Sequence, residues 1–268
     1  MNCLVINLVD DLILTAIALG YVFACVLIPK YLVHKELISK FAARKAVHLL
    51  AGLAIFITPY LTIPWFAVLI AVLLTIVTLK SSKQSSNPTL RDLYNSIGEE
   101  AEESKGYLQG PFHYCLSITI LIATFSAVYQ ISALYQAKGL SLFYIPIAGI
   151  LIMVISDTMA AVVGKRWGKH EIKIPWIHSR RTFEGSLTFF LTGILLCLFS
   201  FFVFGVLLPG YSIQLTVVNA LILSVVTAAV GTVVEMMSPS TWDDLTVPLI
   251  TTGLISIMAF GFGLIVIT

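Results

Sequence analysis

Long apolar stretches without Asp, Glu, Lys or Arg cover 12 to 29, 46 to 79, 106 to 137, 139 to 156, 185 to 234 and 245 to 268. About 20 apolar residues make one helical crossing of a bilayer. The run from 185 to 234 is too long for a single helix and breaks at Pro209-Gly210, and the run from 46 to 79 breaks between Pro59 and Pro64. This pattern predicts eight helical segments, roughly 8 to 29, 46 to 62, 64 to 80, 113 to 132, 142 to 163, 185 to 208, 212 to 235 and 246 to 267. The second and third are short, and a re-entrant pair would fit them as well. The expected fold class is all-α: a polytopic integral membrane helical bundle, with 1 to 268 forming one transmembrane domain.

Composition agrees. Of the 268 residues, 58% are apolar or aromatic and 11% are charged, against about 45–50% and about 25% in an ordinary soluble domain. The net charge of +2 is too balanced for a nucleic-acid binder. No cleavable leader is expected, because the first basic residue, Lys30, follows the first apolar segment and Asp10-Asp11 precede it. Cys3, Cys25, Cys115 and Cys197 show neither CxxC nor metal-ligand spacing and read as packing residues.

Charge placement predicts sidedness. On the eight-pass arrangement, Lys30, Lys35, Lys40, Arg44, Lys45, Lys80, Lys83, Arg91, Lys105, Lys165, Arg166, Lys169, Lys173, Arg180 and Arg181 all fall in loops on one side. Lys138 alone falls on the other. Loops rich in Lys and Arg stay cytoplasmic. The cytoplasmic loops are therefore expected near 30–45, 81–112, 164–184 and 236–245, and both termini on the non-cytoplasmic side. Asp157, Glu184, Glu235, Asp243 and Asp244 map to the same cytoplasmic ends, which suits a charged cytosolic substrate.

Four stretches carry candidate chemistry. Asp157 lies about two turns inside an apolar segment, where an ionised carboxylate costs roughly 2.5–3.5 kcal/mol and so needs a partner or a cation. Ala160, Ala161 and Gly164 leave its helix face clear for close approach. Gly164-Lys165-Arg166-Trp-Gly168-Lys169 is expected as a glycine-framed loop offering amides and cations to polyphosphate, although it misses the GxxxxGK[ST] spacing and His170 stands where the hydroxyl belongs. A basic stop-transfer loop is the plainer reading.

Arg180-Arg181-Thr182-Phe-Glu184 opens the sixth segment, where two guanidinium forks can grip phosphate; the plainer alternative is that Thr182 caps the helix and the arginines anchor it at the interface. Arg44-Lys45-Ala-Val-His48 begins the second, with Arg44 and His48 on one face. Cations at a helix N-terminus oppose the macrodipole, so a bound anion would relieve them; a flank that fixes orientation is the alternative. In Glu235-Met-Met-Ser-Pro-Ser240-Thr-Trp242-Asp243-Asp244-Leu-Thr246-Val-Pro248, one aspartate can cap a helix with Pro248 in its first turn, leaving the other and Glu235 unexplained. The acidic run Glu99-Glu100-Ala-Glu102-Glu103 reads as a solvated face.

Taken together, Arg44-Lys45-x-x-His48, Lys105-Gly106-Tyr-Leu-Gln-Gly110-Pro111-Phe-His-Tyr114, Asp157-Thr-x-Ala-Ala-x-x-Gly164-Lys165-x-x-Gly168, Arg181-Thr-x-Glu184-Gly185 and Asp244-Leu-Thr-Val-Pro248 resemble the phytol kinase and dolichol kinase group of CTP-dependent polyprenol kinases. The Gly110-Pro111-x-x-Tyr114 element is most similar to the phytol kinase branch. The resemblance implies transfer of the γ-phosphoryl of CTP, or another nucleoside triphosphate, to a prenyl alcohol drawn from the bilayer, with Mg²⁺ as cofactor.

It further implies Asp157, Glu235 and Asp243 as metal ligands. Arg44, Lys45, Gly164, Lys165, Arg166, Gly168, Lys169, Arg180 and Arg181 would bind nucleotide phosphates. Asp157, Asp244, His48 and Glu184 would be catalytic, with Asp244 as base and His48 as its rival. A phosphatidate cytidylyltransferase would use the same triphosphate but form a nucleotide-lipid, and an ion-coupled transporter would use the carboxylates as an ion site, though no internal repeat is visible. The expected location is a bacterial inner or thylakoid membrane, or a plastid or reticulum membrane of a eukaryote.

Overall fold

The computed structural model describes residues 8–98, 102, 105–131, 142–177, 179–207, 215–239 and 241–264. Expectations placed on Cys3, Glu99, Glu100, Glu103, Lys138, Pro209-Gly210 and Ser240 lie outside these. Among the described residues the structure is helical with one two-stranded hairpin. Seven helices are long and apolar enough to cross a membrane, and an eighth, Trp65–Lys80, is apolar but shorter. The chain is an all-α polytopic membrane protein. It divides into two compact units, Asn7–Thr119 and Ile120–Thr268.

The first unit opens with α1 (Leu8–His34), which continues through Pro29 where the apolar pattern alone predicts an end. A membrane helix tolerates such a proline where neighbouring groups take up the freed carbonyl. Asp11 is buried, and its carboxylate accepts from the Thr62 amide (3.0 Å), the Thr62 hydroxyl (2.7 Å) and the Ile63 amide (2.8 Å). These bonds tie the start of α1 to the turn between the next two helices.

α2 (Lys40–Gly52) begins six residues earlier than the apolar run, because Ser39 caps it by accepting from Ala42 N at 3.2 Å. It tightens into a 3₁₀ segment, Leu53–Tyr60, before α3 (Trp65–Lys80). The expected loop 81–112 contains a further helix, α4 (Pro88–Ile97), with Asn87 capping it and Pro88 in its first turn. Leu93, Tyr94 and Ile97 of α4 pack with Leu108 against Val26, Val47 and Val77. The 3.6-residue spacing of Leu90, Leu93, Tyr94 and Ile97 carried that signal; it is too short to register among membrane-length runs. α5 (Gln109–Ile131) leads from this unit into the second.

In the second unit α6 runs over Tyr144–Trp167, with a π-helical segment at Ile152–Ser156 that ends where Asp157 begins. Its first two turns, Tyr144–Leu151, are buried on every side. Small residues let the other helices close on it, as van der Waals packing in lipid favours. A Cβ at Gly149 would collide with Thr252 Oγ1 of α9 (Asp243–Gly261). One at Gly193 of α7 (Phe183–Ser200) would lie 3.2 Å from Ala228 of α8 (Val217–Met237). The Ser200 hydroxyl donates to the Tyr144 carbonyl at 2.9 Å, at the far end of the same contact. Cys25, Cys115 and Cys197 are buried thiols, in keeping with the packing role read from their spacing.

Between α6 and α7 the chain forms a short antiparallel hairpin, β1 (Glu171–Ile172) with β2 (Arg181–Thr182), pairing Glu171 with Thr182 and Ile172 with Arg181. α9 begins at Asp243, three residues before the apolar pattern predicts, so Pro248 stands in its second turn rather than its first.

Candidate functional site

The second unit gathers four polar side chains that the sequence separates by up to 86 positions. Asp157 follows the π-segment of α6, Arg181 lies in β2, Glu235 in the last turn of α8, and Asp243 opens α9. Asp157 and Glu235 are 8% and 3% exposed. The oxygens that Asp157, Glu235 and Asp243 offer lie within 4.8 Å of one another. Arg181 Nη1 donates to Glu235 Oε1, Nη2 donates to Asp243 Oδ2 at 3.0 Å, and Nη2 also points at the Ser238 carbonyl at 3.4 Å. Burial opposes the guanidinium charge, but Glu235, Asp243 and Asp157 outweigh it and hold the Arg181 pKa above its ordinary value.

Three carboxylates beside one guanidinium in a largely buried setting suit a divalent cation. Hard carboxylate oxygens are the donors Mg²⁺ prefers, and metal–oxygen bonds of about 2.0–2.1 Å place opposite ligands about 4 Å apart, the scale of this cluster. The residues present therefore fit such an ion. Asp244, also buried, is next in the chain, its amide donating to Asp243 Oδ1 at 3.2 Å.

Further hydrogen bonds brace the hairpin and the α8–α9 turn beside this cluster. Trp176 Nε1 donates to the Met237 carbonyl at 3.2 Å, and the Ser238 and Thr246 hydroxyls meet at 2.6 Å across the α8–α9 turn. Arg180 Nη2 donates to the Gly168 carbonyl at 2.9 Å. Glu184 engages His170 twice, at the ring Nδ1 (2.7 Å) and the backbone amide (3.3 Å). Trp176 does not stand out in the sequence as a contributor, because it acts through a backbone carbonyl 61 positions away.

Several expectations are corrected. Residues 164–167 are not a loop: they are the last turn of α6, and the Gly168 amide donates to the Gly164 carbonyl at 3.1 Å. The glycines permit close packing. A Cβ at Gly164 would lie 3.0 Å from Thr182 Oγ1, one at Gly168 would strike the Gly164 carbonyl, and one at Gly185 would lie 3.1 Å from the Ala160 carbonyl. Lys165, Arg166 and Lys169 are exposed nearby, with Arg166 stacked 4.9 Å from the Trp167 ring. Thr182 does cap α7, accepting from Gly185 N at 3.2 Å. Neither Asp243 nor Asp244 caps α9 from outside, since both lie within its first turn and Trp242 is the cap residue.

In the first unit, Arg44 does not stand at a helix N-terminus but in the second turn of α2. The anion that relieves it comes from the chain itself: Glu102 Oε2 accepts from Arg44 Nη1 at 2.9 Å. Glu102, expected on a solvated face, is fully buried, and its other oxygen accepts from the Gly110 amide at 2.7 Å. One turn along both helices, the Tyr114 hydroxyl donates to the His48 carbonyl at 2.9 Å and the two rings lie 4.5 Å apart.

The chain is similar to a phytol kinase of Synechocystis sp.: the two are 30% identical over 240 residues, which cover 88% of this chain and 88% of the relative. No family model matches the chain. No solved structure matches it either.

Proposed function

Because the chain belongs to the phytol kinase family, we propose that it transfers the γ-phosphoryl group of cytosolic CTP to the primary hydroxyl of a membrane-dissolved prenyl alcohol such as phytol. The products are the prenyl monophosphate and CDP. The observation that carries this reading is the set of buried Asp157 and Glu235 with half-buried Asp243 around Arg181, in a multi-pass membrane protein of a kinase family. Phosphoryl transfer asks for positioning and charge neutralisation more than for covalent catalysis.

Asp157, Glu235 and Asp243 would hold Mg²⁺, which when bound neutralises charge on the triphosphate. Arg181 keeps two of the three carboxylates aligned and apart. Lys165, Arg166, Lys169 and Arg180 supply positive charge to phosphate oxygens, and Arg44 and Lys45 are the proposed nucleotide-binding residues of the first unit. Glu184 holds the chain at His170 and so orders the hairpin. The alcohol oxygen forms the new bond to the γ-phosphorus as the bridging oxygen leaves with CDP, and the hydroxyl proton passes to the proposed base, Asp244, with His48 the competing choice.

Purified protein given Mg²⁺, a C15 to C20 prenol and CTP labelled separately at the α- and γ-phosphorus tests the reaction directly. The expected result is γ label in the lipid and release of CDP. Label from the α position with release of pyrophosphate would make the chain a nucleotidyltransferase. A preference for phytol or geranylgeraniol over diacylglycerol is expected.

Sidedness is a second expectation, since a cytosolic donor requires the basic loops to face the cytoplasm. Single cysteines at Lys35, Lys83 and Lys173 should resist an impermeant thiol reagent on intact cells, while one between Pro59 and Pro64 should react. Labelling of the first three from outside would reverse the topology and remove the cytosolic nucleotide.

A further inference from the structure

We propose that Glu102 is a positioning residue for nucleotide binding: its buried carboxylate bridges Arg44 and the Gly110 amide and so fixes the guanidinium that the nucleotide meets. This inference rests on the kinase reading above and adds to it a residue that its sequence context disguises.

The geometry is specific. Oε2 of Glu102 receives Arg44 Nη1 at 2.9 Å and Oε1 receives the Gly110 amide at 2.7 Å, so both carboxylate oxygens are committed in different directions. Arg44 is 12% exposed at its side chain and Glu102 not at all. Position 110 has no room for a side chain, because a Cβ there would run into Arg44 Nη2 and lie 3.2 Å from Glu102 Oε1. The guanidinium thus lies against a glycine and is held by the Glu102 carboxylate.

The same two helices are joined again four residues on by Tyr114 and His48. Arg44 and His48, and Gly110 and Tyr114, are each one turn apart on their own helices, so the two links set a single register between α2 and α5. Within α4 and the segment that follows, the chain turns back at Gly106, whose φ of +78° suits glycine. There the Lys105 and Gly106 amides donate to the Glu102 carbonyl at 3.0 and 3.1 Å. Glu102 is therefore anchored through its backbone as well as its side chain.

A buried ion pair is seldom a net source of stability compared with apolar residues of similar volume. What it supplies is direction: the planar fork of Arg44 is held in one orientation before the ligand arrives, which lowers the ordering cost of binding.

The test uses the full-length protein in detergent or nanodiscs with CTP and phytol. Glu102→Gln keeps the shape and one oxygen for the Gly110 amide while removing the negative charge that faces Arg44. It is expected to raise the KM for CTP by about ten-fold or more, with kcat and the KM for phytol changed by less than about three-fold, in a protein that still unfolds cooperatively but at a lower temperature than wild type, because the buried guanidinium has lost its counter-charge. Gly110→Ala, which displaces the guanidinium with Glu102 intact, should give the same split. Because Glu102 acts through Arg44, the Arg44→Ala Glu102→Gln double variant should be no worse than Arg44→Ala alone.

An unchanged or lowered KM for CTP in Glu102→Gln would overturn the proposal, as would equal losses in all three parameters or additive effects in the double variant. The wild type is assayed alongside. If it transfers no γ-phosphoryl group, the kinase reading fails; if it does and Glu102→Gln matches it, only the positioning role fails.

Discussion

Asp157→Asn is expected to give a folded, membrane-inserted protein whose phosphoryl transfer falls by about 10³-fold or more. The substitution keeps the size of the side chain and removes one of the three negative charges that surround Arg181. Taking a charge out of the buried cluster relieves desolvation, so thermal unfolding in detergent should change little. Binding of Mn²⁺, read by electron paramagnetic resonance in place of Mg²⁺, should weaken in parallel with turnover. Near-normal turnover in Asp157→Asn would end the metal assignment and leave the residue as a helix contact.

Arg181→Lys and Arg181→Met separate two roles of one side chain. The fork of Arg181 serves Glu235 and Asp243 and points at the Ser238 carbonyl, and one ammonium cannot span three acceptors on two helices and the turn between them. Activity in Arg181→Lys is expected to fall by about 10²-fold. Arg181→Met takes the guanidinium from between Glu235 and Asp243, and breaking a buried pair in this way costs about 3–5 kcal/mol. Its lowered thermal midpoint should recover as Mg²⁺ is added, because the ion restores the missing positive charge among the same oxygens. A midpoint insensitive to Mg²⁺ would show that the carboxylates do not share a cation.

The corrections share a physical pattern. The apolar pattern does not show the start of α2, because Lys40, Arg44 and Lys45 interrupt the run, whereas Ser39 caps the helix whatever its polarity. α4 was missed because its amphipathic face covers only ten residues inside a stretch rich in Ser and Lys. Gly164 and Gly168 look alike whether they expose amides to a phosphate or let α7 come close. The choice depends on Thr182 and Gly185, which stand opposite them. Glu102 was read from its acidic neighbours, whereas its burial depends on Arg44, 58 positions away.

By itself the sequence determined the class and the chemistry on offer. Continuous apolar runs of bilayer length require helices, because lipid leaves only helices or closed barrels to satisfy backbone N–H and C=O groups, and barrel strands are shorter and alternate apolar with polar residues. A carboxylate inside such a run, as at Asp157, requires a partner. The tertiary structure decided who that partner is. Only the packing of α6, α8 and α9, with the hairpin folded over their ends, sets Asp157, Glu235 and Asp243 around Arg181. Likewise only the register of α2 with α5 sets Glu102 on Arg44. Periodicity is a property of neighbours along the chain, whereas a buried charge is balanced by whatever the fold brings within a few ångströms of it.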